Sequence, residues 1–161
     1  DGNAIKAVKR PVKDIDYGFV GDIRPDGVNT ALLYFLLKQN TVPVFAPLTH
    51  ADGKMLNTNA DTIASVLAVA LSKHFDVRLI FCFEKKGVLR DVNNLDSVIH
   101  HLPRKMYDEL LPKQVFADGI LPKLENAYAA ISAGVKEVLI GEAADLVKNT
   151  GHETAGTLIT L

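Results

Sequence analysis

The chain has 161 residues, of which 48% are hydrophobic and 23% are charged, a balance typical of a globular protein large enough to enclose one core. Eighteen Lys and Arg against 19 Asp and Glu leave a formal net charge of −1, so the basic excess of a nucleic-acid-binding protein is missing and we expect no nucleic-acid partner. A single Cys excludes an internal disulfide and suits a reducing, cytoplasmic location, and since no apolar run reaches membrane-spanning length we expect no membrane partner.

The first part of the chain alternates short apolar runs with turn residues. The pattern predicts a hairpin of two strands (residues 4–9 and 17–23), a turn at 24–27, and a helix at 31–39 capped by Asn29 or Thr30. Residues 42–48 are an apolar run that we interpret as a strand, although Pro43 and Pro47 argue against a long central ladder. Residues 51–54 predict a tight turn.

A polar cluster, residues 57–61, directly precedes an apolar run. Asn57, Thr58 and Asn59 are all good N-cap residues, and Asp61 would lie in the first helical turn, where the helix dipole favours an anion. The run that follows, residues 62–71, has apolar positions all round, which predicts a helix buried on nearly every face. A well-capped core helix explains this cluster by itself, so its function depends on another part of the chain.

The second part of the chain alternates helices with short buried strands. Residues 77–83 form a continuous apolar run, typical of a parallel strand covered on both faces, in which Cys82 is expected to be a buried small hydrophobic residue rather than a nucleophile. The remaining predicted elements are a loop at 84–89, helices at 103–111 and 120–133, a strand at 136–141, a short helix at 143–148 and a strand at 157–160. This order predicts an α/β layered fold with a mainly parallel sheet.

Lys123 is a second candidate for function. Pro122 fits the first position of the helix, and Lys123 in the first turn faces the positive end of the dipole, an arrangement unfavourable by roughly 0.3–1 kcal/mol. Lys123 could be an exposed lysine that points into water. Alternatively, it could join the helix N-terminus in binding an anion, as phosphate sites do.

Asp61 and Lys123 together would place a carboxylate and an ammonium at the starts of two helices of one α/β sheet. In such sheets, ligands bind at the carboxyl ends of the strands, here the loops after residues 48, 83 and 140. Phosphoryl transfer needs these groups, because the protein mainly positions two anions and neutralises charge on the phosphoryl group. The two residues therefore predict a phosphoryl-transfer site.

Five stretches, in order, resemble motifs of the acetylglutamate kinases in the amino acid kinase family. They are Val20-Gly21-Asp22-Ile23 (V-G-D-V), Val42-Pro43-Val44-Phe45-Ala46-Pro47 (I-P-V-I-A-P), Asn57-Thr58-Asn59-Ala60-Asp61 (N-x-N-A-D), Asp118-Gly119-Ile120-Leu121-Pro122-Lys123 (G-G-M-I-P-K) and Gly156-Thr157-Leu158-Ile159 (G-T-x-I). Each motif is weak alone, but the ordered set is specific and covers essentially the whole chain.

The resemblance implies a three-layer α/β sandwich that transfers the γ-phosphoryl group of ATP, with Mg²⁺, to the side-chain carboxylate of an N-acylated glutamate in arginine biosynthesis. No tightly bound cofactor is implied. Asn57 and Asn59 would hold the acylglutamate, Asp61 would organise the catalytic lysines, and Lys123 would neutralise the transferring phosphoryl group. The implied nucleotide-binding residues follow the long strand and precede the Asp118–Lys123 motif. They are Glu84, Lys85, Lys86, Gly87, Val88 and Leu89 in the first stretch, and Val115, Phe116 and Ala117 in the second.

The same resemblance divides the chain into two halves of one partial domain. Residues 1–56 would be the remainder of the acylglutamate-binding half, with the hairpin 4–23 over that substrate, and residues 57–161 would be the nucleotide-binding half. The five histidines show no metal-ligand spacing, so no protein-bound metal is expected. The sequence is compatible with a homo-oligomer but does not specify one.

Departures from the family pattern limit what the resemblance implies. Phe83-Glu84 stands where the family has Ser or Thr followed by Asp, and Lys85-Lys86 either attracts phosphate or forms a solvated pair, the reading that we favour. The family's first strand with K-x-G-G, its second glycine-rich loop and its substrate-gripping Arg do not occur. Because the chain also begins Asp1-Gly2 without Met, we interpret it as roughly the last two thirds of an enzyme and expect it to be inactive alone. A kinase of another small acid, or a non-catalytic nucleotide-binding or regulatory module, are the alternatives.

Overall fold

The computed structural model describes residues 3–161, without the side chain of Asp118. The chain forms two compact units that divide between Phe75 and Asp76. The first contains β1 (Ile5–Lys9), β2 (Gly21–Val28), α1 (Thr30–Lys38), β3 (Leu48–Ala51), β4 (Lys54–Asn57) and α2 (Ala60–Leu71). The second contains β5 (Arg78–Phe83), β6 (His101–Pro103), α3 (Arg104–Leu110), α4 (Leu121–Ser132), β7 (Glu137–Glu142), α5 (Leu146–Asn149) and β8 (Thr157–Thr160).

The predicted N-terminal hairpin is confirmed, since β1 and β2 pair antiparallel with Ala7 opposite Ile23, but its second strand begins at Gly21 and not at residue 17. The turn predicted at 24–27 instead lies inside β2. Ile5 pairs with Val28, so the register shifts and β2 bulges out between its two paired ends. A Cβ on Gly27 would lie 2.5 Å from the carbonyl oxygen of Lys6, and this close approach explains why glycine stands in the bulge.

The second hairpin, β3 and β4, confirms the tight turn predicted at 51–54. Asp52 and Gly53 have φ of 49° and 73°, as a two-residue turn of the type I′ class requires. The strand predicted at 42–48 is wrong apart from its last residue, since residues 41–47 form no strand. Pro43 lacks the N–H that a ladder needs, and among the described residues no strand pairs with this segment, where Val44 is 91% exposed.

Both helices of the first unit begin at the predicted caps. The side-chain oxygen of Asn29 accepts a hydrogen bond from the backbone N–H of Leu32 at 3.1 Å, and Asn59 does the same for Thr62 at 2.9 Å. The prediction that α2 is buried on nearly every face is wrong, because only Ile63 and Ala68 in it are buried. Within its unit α2 packs on β2 and α1, which cover only part of its circumference.

The second unit is built on a four-stranded sheet in the order β5-β7-β8-β6. The pairs β5–β7 and β6–β8 are parallel and β7–β8 is antiparallel, so the predicted mainly parallel sheet is confirmed. The core runs through the middle of this sheet, where Val138, Leu139, Ile140 and Ile159 are fully buried.

The prediction that Cys82 is buried is wrong. Side chains alternate along β5, so Leu79 and Phe81 point into the core while Cys82 lies on the other face and is exposed. In the described part of the chain, β5 is also the edge strand of its sheet. None of the described helices has both the length and the apolarity that crossing a membrane requires.

Candidate active site

The N-x-N-A-D stretch joins the end of β4 to the start of α2. The backbone N–H of Asn57 donates to the carbonyl of Phe19 at 2.8 Å, and Val20 forms a parallel bridge with Asn57. Thr58 is buried, and its hydroxyl oxygen lies 2.7 Å from that of Thr49 in β3. The hairpin β1–β2 is therefore hydrogen-bonded directly to the motif predicted to bind substrate.

Gly21 explains why this arrangement needs a glycine in the V-G-D stretch. A Cβ at position 21 would lie 2.7 Å from both threonine hydroxyls, those of Thr49 and Thr58. Any side chain would push the hairpin away from the buried hydroxyl pair. Sequence reasoning missed this pair, because the two threonines are nine residues apart and only the β3–β4 pairing brings them together.

Asn57, Asn59 and Asp61 all lie at the N-terminal end of α2, as predicted. Asn57 is exposed and Asp61 is half-buried in the first helical turn. The carboxamide oxygen of Asn59 caps the helix, so a substrate contact by Asn59 would come from its amide nitrogen. A cavity of about 350 Å³ between α1 and residues 43–46 is lined by none of these three residues.

An ion pair between Arg10 and Asp22 joins the two sides of the first hairpin near its connecting loop. Two guanidinium nitrogens of Arg10, Nε and Nη2, donate to the Asp22 carboxylate at 3.0 and 2.6 Å, and this hydrogen bonding raises the pKa of Arg10. The guanidinium also lies 5.3 Å from the ring centroid of Tyr17. Because both charged side chains are about 40% exposed, the pair orders the hairpin more than it stabilises the fold.

Lys123 lies in the first turn of α4, as predicted. A short 3-10 turn at 118–120 leads into the helix, and Pro122 is its second residue. The ammonium nitrogen of Lys123 lies 5.4 Å from the ring centroid of Phe81, which is buried in β5. Sequence reasoning missed this contact, since only the packing of α4 on the sheet brings the two residues together.

The two stretches predicted to bind nucleotide meet in the second unit. A small cavity of about 20 Å³ is lined by Lys85, Gly87, Val88 and Leu89 from the first stretch and by Ala117 from the second. Phe116 and Ala117 also line a larger open cavity of about 580 Å³ with Leu111, Gln114 and Leu121. Only the larger cavity has a volume in the range of small-molecule sites.

Several of the predicted nucleotide-binding side chains belong to the core. Val88, Leu89 and Phe116 are buried, and the Phe116 ring stacks on Tyr107 at 5.4 Å. These residues could therefore contact a ligand only through their main chain. The backbone N–H of Val88 donates to the hydroxyl of Thr157 at 2.8 Å, which ties the loop to β8.

The charged residues of the same loop point outward. Glu84 and Lys86 are exposed, whereas Lys85 is half-buried. The ammonium of Lys86 donates to the carboxylate of Asp96, ten residues further along the chain, at 3.2 Å, and this hydrogen bond is exposed. Gly87 is buried where a Cβ would lie 2.6 Å from the Thr157 hydroxyl, so this glycine allows the loop to approach β8.

Asp61 and Lys123 belong to different units, and their joint action on one phosphate stays a prediction. The described residues contain no group of three or more His, Cys, Asp or Glu side chains that could hold a metal ion. The division of the chain into an acylglutamate half and a nucleotide half also stays a prediction, and its first two residues lie outside the described part.

Comparison with known families identifies the family to which the chain belongs. Residues 3–142 match the model of the amino acid kinase family. The chain belongs to the amino acid kinase family. It is 53% identical over 152 residues to acetylglutamate kinase of Bacteroides thetaiotaomicron, covering 94% of the chain and 58% of that enzyme. It is 52% identical over 160 residues to acetylglutamate kinase of Phocaeicola vulgatus, covering 99% and 60%.

These relatives confirm the resemblance to acetylglutamate kinase on which the motifs were assigned. The chain spans 58–60% of the length of these curated relatives. A solved member of the same fold is N-acetylglutamate synthase from Neisseria gonorrhoeae, complexed with coenzyme A and N-acetyl-glutamate. It has a TM-score of 0.84 at 25% identity, covering 99% of this chain and 37% of that one. The predicted α/β fold class is confirmed by these matches.

Proposed function

We propose that this chain carries part of the active site of an acetylglutamate kinase, which transfers the γ-phosphoryl group of ATP to the side-chain carboxylate of N-acetylglutamate. The observation that carries the proposal is the identity of 52–53% with acetylglutamate kinases over 94–99% of the chain. ATP enters with Mg²⁺ as a substrate complex. The acyl phosphate that forms would be an intermediate of arginine biosynthesis.

Lys123 supplies positive charge to the transferring phosphoryl group in this proposal. The reaction needs no protein nucleophile, since the carboxylate of the substrate attacks phosphorus directly. Catalysis then depends on holding two anions in line and on neutralising charge in the transition state. The ammonium of Lys123 and the N–H groups at the start of α4 are suited to this task, because both carry positive charge.

The end of β4 and the start of α2 provide the groups that bind the phosphoryl acceptor, the acylglutamate. Exposed Asn57 offers a carboxamide to the acylglutamate, and the amide nitrogen of Asn59 offers a second donor. The carboxylate of Asp61, half-buried in the first turn of α2, orders the catalytic lysines. The hairpin β1–β2, hydrogen-bonded to Asn57, covers the substrate.

The cavity of about 580 Å³ beside residues 116–117 is the proposed site of the nucleotide base. Leu111 and Leu121 supply apolar surface to its lining, and Gln114 supplies a polar side chain. Phe83 and Glu84 replace the small polar residues that the family resemblance implies at this point. Nucleotide contacts therefore come from the backbone of the loop 84–89 more than from its side chains.

The test compares the complete open reading frame that contains this sequence with the 161-residue chain. ADP formation is measured with N-acetylglutamate, glutamate, aspartate or carbamate as acceptor, and the acyl phosphate is trapped with hydroxylamine. Turnover is expected only with N-acetylglutamate, and none is expected from the chain alone. Turnover by the chain alone would contradict the proposal for the fragment, and preference for another acid would contradict the proposed substrate.

Substitution of Lys123 by Met tests the proposed role of its charge. Removing one group that stabilises charge in a transition state costs about 10²–10³ in kcat, and we expect this loss in the complete protein. Lys136→Met is a matched control, because Lys136 is an exposed lysine of the same unit that pairs with Asp76 at 2.9 Å. An equal effect of both substitutions would contradict a specific role for Lys123.

A non-catalytic regulatory module is the second candidate. The observation behind it is that the same fold occurs in N-acetylglutamate synthase from Neisseria gonorrhoeae, so the fold alone does not specify kinase activity. This candidate predicts that the complete protein binds N-acetylglutamate or nucleotide but forms no ADP with any of the four acceptors. The same assay therefore separates the two candidates.

A further inference from the structure

A second cavity of the C-terminal unit, of about 380 Å³, lies between α3 and α4. Among the residues that the structure describes, none of those predicted to bind substrate or nucleotide lines it. Its volume is in the range of small-molecule sites. The rings of Tyr107 and Tyr128, whose centroids are 4.9 Å apart, form part of its wall. Both tyrosines are buried, and the Tyr128 hydroxyl donates to the carbonyl of Leu102 at 3.0 Å, so this wall is fixed by the core.

The guanidinium of Arg104 is held against these two rings. Its central carbon lies 5.7 Å from the centroid of Tyr107 and 5.2 Å from that of Tyr128, within the distance of about 6 Å at which an aromatic ring attracts a cation. Its Nε donates to the Asp108 carboxylate at 2.8 Å. Among the described side chains, neither Nη group has a hydrogen-bond acceptor. The guanidinium is therefore ordered, and its outer N–H groups suit a second carboxylate.

A carboxylate reaches the same cavity from α4. Glu125 lines the cavity and is exposed, and among the side chains that the structure describes it forms no ion pair and no hydrogen bond. Burial raises the pKa of Tyr107, and the negative charge of Glu125 raises it further. Arg104 and Glu125 therefore act on the same pair of rings from two helices without pairing with each other.

We propose that this cavity binds a free α-amino acid with an apolar side chain, a function independent of the proposed kinase activity. The α-carboxylate lies on the two Nη groups of Arg104. The α-ammonium lies toward Glu125 and the hydroxyl of Ser132, which also lines the cavity. The side chain of the ligand packs on Leu111 and Ala129, the apolar part of the lining. A zwitterion fits because it satisfies both charges, whereas a simple anion or a simple amine leaves one of them without a partner.

The competing explanation is that the groove between the two helices is ordinary solvated surface. Arg104 and Asp108 are then only an exposed (i, i+4) pair of α3, and Glu125 is a solvated carboxylate. Blocked ligands separate the two explanations without any change to the protein. N-acetyl-leucine keeps the α-carboxylate and lacks the ammonium, leucinamide has the reverse pattern, and N-acetyl-leucinamide lacks both charges and represents a peptide backbone.

The experiment titrates the ¹⁵N-labelled 161-residue chain with leucine at constant ionic strength and follows the amide signals. Saturable shifts are expected at Tyr128 and Ser132. No shift is expected at Gln114, which lines only the cavity of about 580 Å³, although Leu111 lines both cavities. The dissociation constant of either singly blocked ligand is expected to be about two- to fivefold higher than that of leucine, the range of one exposed ion pair.

Arg104→Gln and Glu125→Gln test the two charged walls, and each is expected to raise the dissociation constant of leucine by about two- to fivefold. Lys105→Gln and Glu109→Gln are matched controls, because both residues are exposed on α3 outside the lining, and neither should change the affinity. Absence of a saturable shift at Tyr128 and Ser132, or equal effects of the test and control variants, would overturn the proposal. Equal affinity for leucine and N-acetyl-leucinamide would also overturn it and would indicate a peptide as the occupant.

Discussion

Substitution of Asn149 by Ala should destabilise the second unit by about 3 kcal/mol. Asn149 is fully buried at the end of α5. Its carboxamide oxygen accepts hydrogen bonds from the backbone N–H groups of Ala155 at 2.9 Å and Gly156 at 3.3 Å. The side chain therefore anchors the segment that leads into β8 and its G-T-x-I motif.

The magnitude follows from the two donors that alanine would leave without their acceptor. A buried backbone N–H that loses its acceptor costs about 1–3 kcal/mol. The bond to half-buried Ala155 is shorter and the bond to buried Gly156 is longer, so we assign about 1.5 kcal/mol to each. The void left beside Gly141, where a Cβ would lie 2.6 Å from the Asn149 amide nitrogen, adds to the loss. Removal of that nitrogen, which is buried without a hydrogen-bond partner among the described residues, offsets it.

Native-state hydrogen exchange reports on this loss within one unit. The amides of Leu139 and Ile140 in β7 are fully buried and measure the opening free energy of the second unit. That free energy should fall by about 3 kcal/mol, while the amides of β3 and β4 in the first unit should not change. Asn94→Ala is a matched control, because the Asn94 side chain accepts one exposed hydrogen bond, from the backbone N–H of Asp96 at 3.0 Å. A loss below about 0.5 kcal/mol for Asn149→Ala, the usual size for a surface substitution, would refute this reasoning.

Two further predictions concern a helix cap and a buried phenol. Asn59→Ala removes the cap of α2 and should lower amide protection in that helix by about 1 kcal/mol; unchanged exchange would show that the cap does not hold the helix. Burial raises the pKa of Tyr128, whose hydroxyl donates to the carbonyl of Leu102 at 3.0 Å. Above about pH 10 the unfolded chain releases this proton while the folded chain keeps it, so stability should fall as pH rises, by at most about 1.4 kcal/mol per pH unit. In Tyr128→Phe the fall measured by urea unfolding should be smaller, with a remainder from Tyr107, whose pKa burial also raises; an identical fall would contradict the assignment.

Features that depend on neighbouring residues could be predicted from the sequence. The caps at Asn29 and Asn59 use backbone groups three residues away, and the turn at Asp52-Gly53 needs only its own two residues. The alternation of helices and apolar runs likewise predicted the mainly parallel sheet. For the caps and the turn, the pattern and the contact that produces the structure lie in the same short stretch. The sheet instead follows from the order of the elements, because a helix between two strands favours a parallel pair.

Features that depend on a distant partner could not be predicted. Residues 42–48 have the composition of a strand, but a strand also needs a neighbour with which to pair. Cys82 lies in an apolar run, yet its exposure depends on which face of β5 the rest of the unit covers. Motif resemblance singled out Asp61 and Lys123 as candidate site residues, but the contact between Lys123 and Phe81 follows only from the packing of α4 against the sheet.

A double-mutant cycle on Asp61 and Lys123 tests the central claim, that both residues act on one phosphoryl group, most directly. kcat is measured for the complete protein and for Asp61→Asn, Lys123→Met and the double variant. Residues that act as a unit give strongly non-additive losses, so we predict that the double variant is within about tenfold of the worse single variant. Losses that multiply fully would show that the two side chains act independently and would contradict the account.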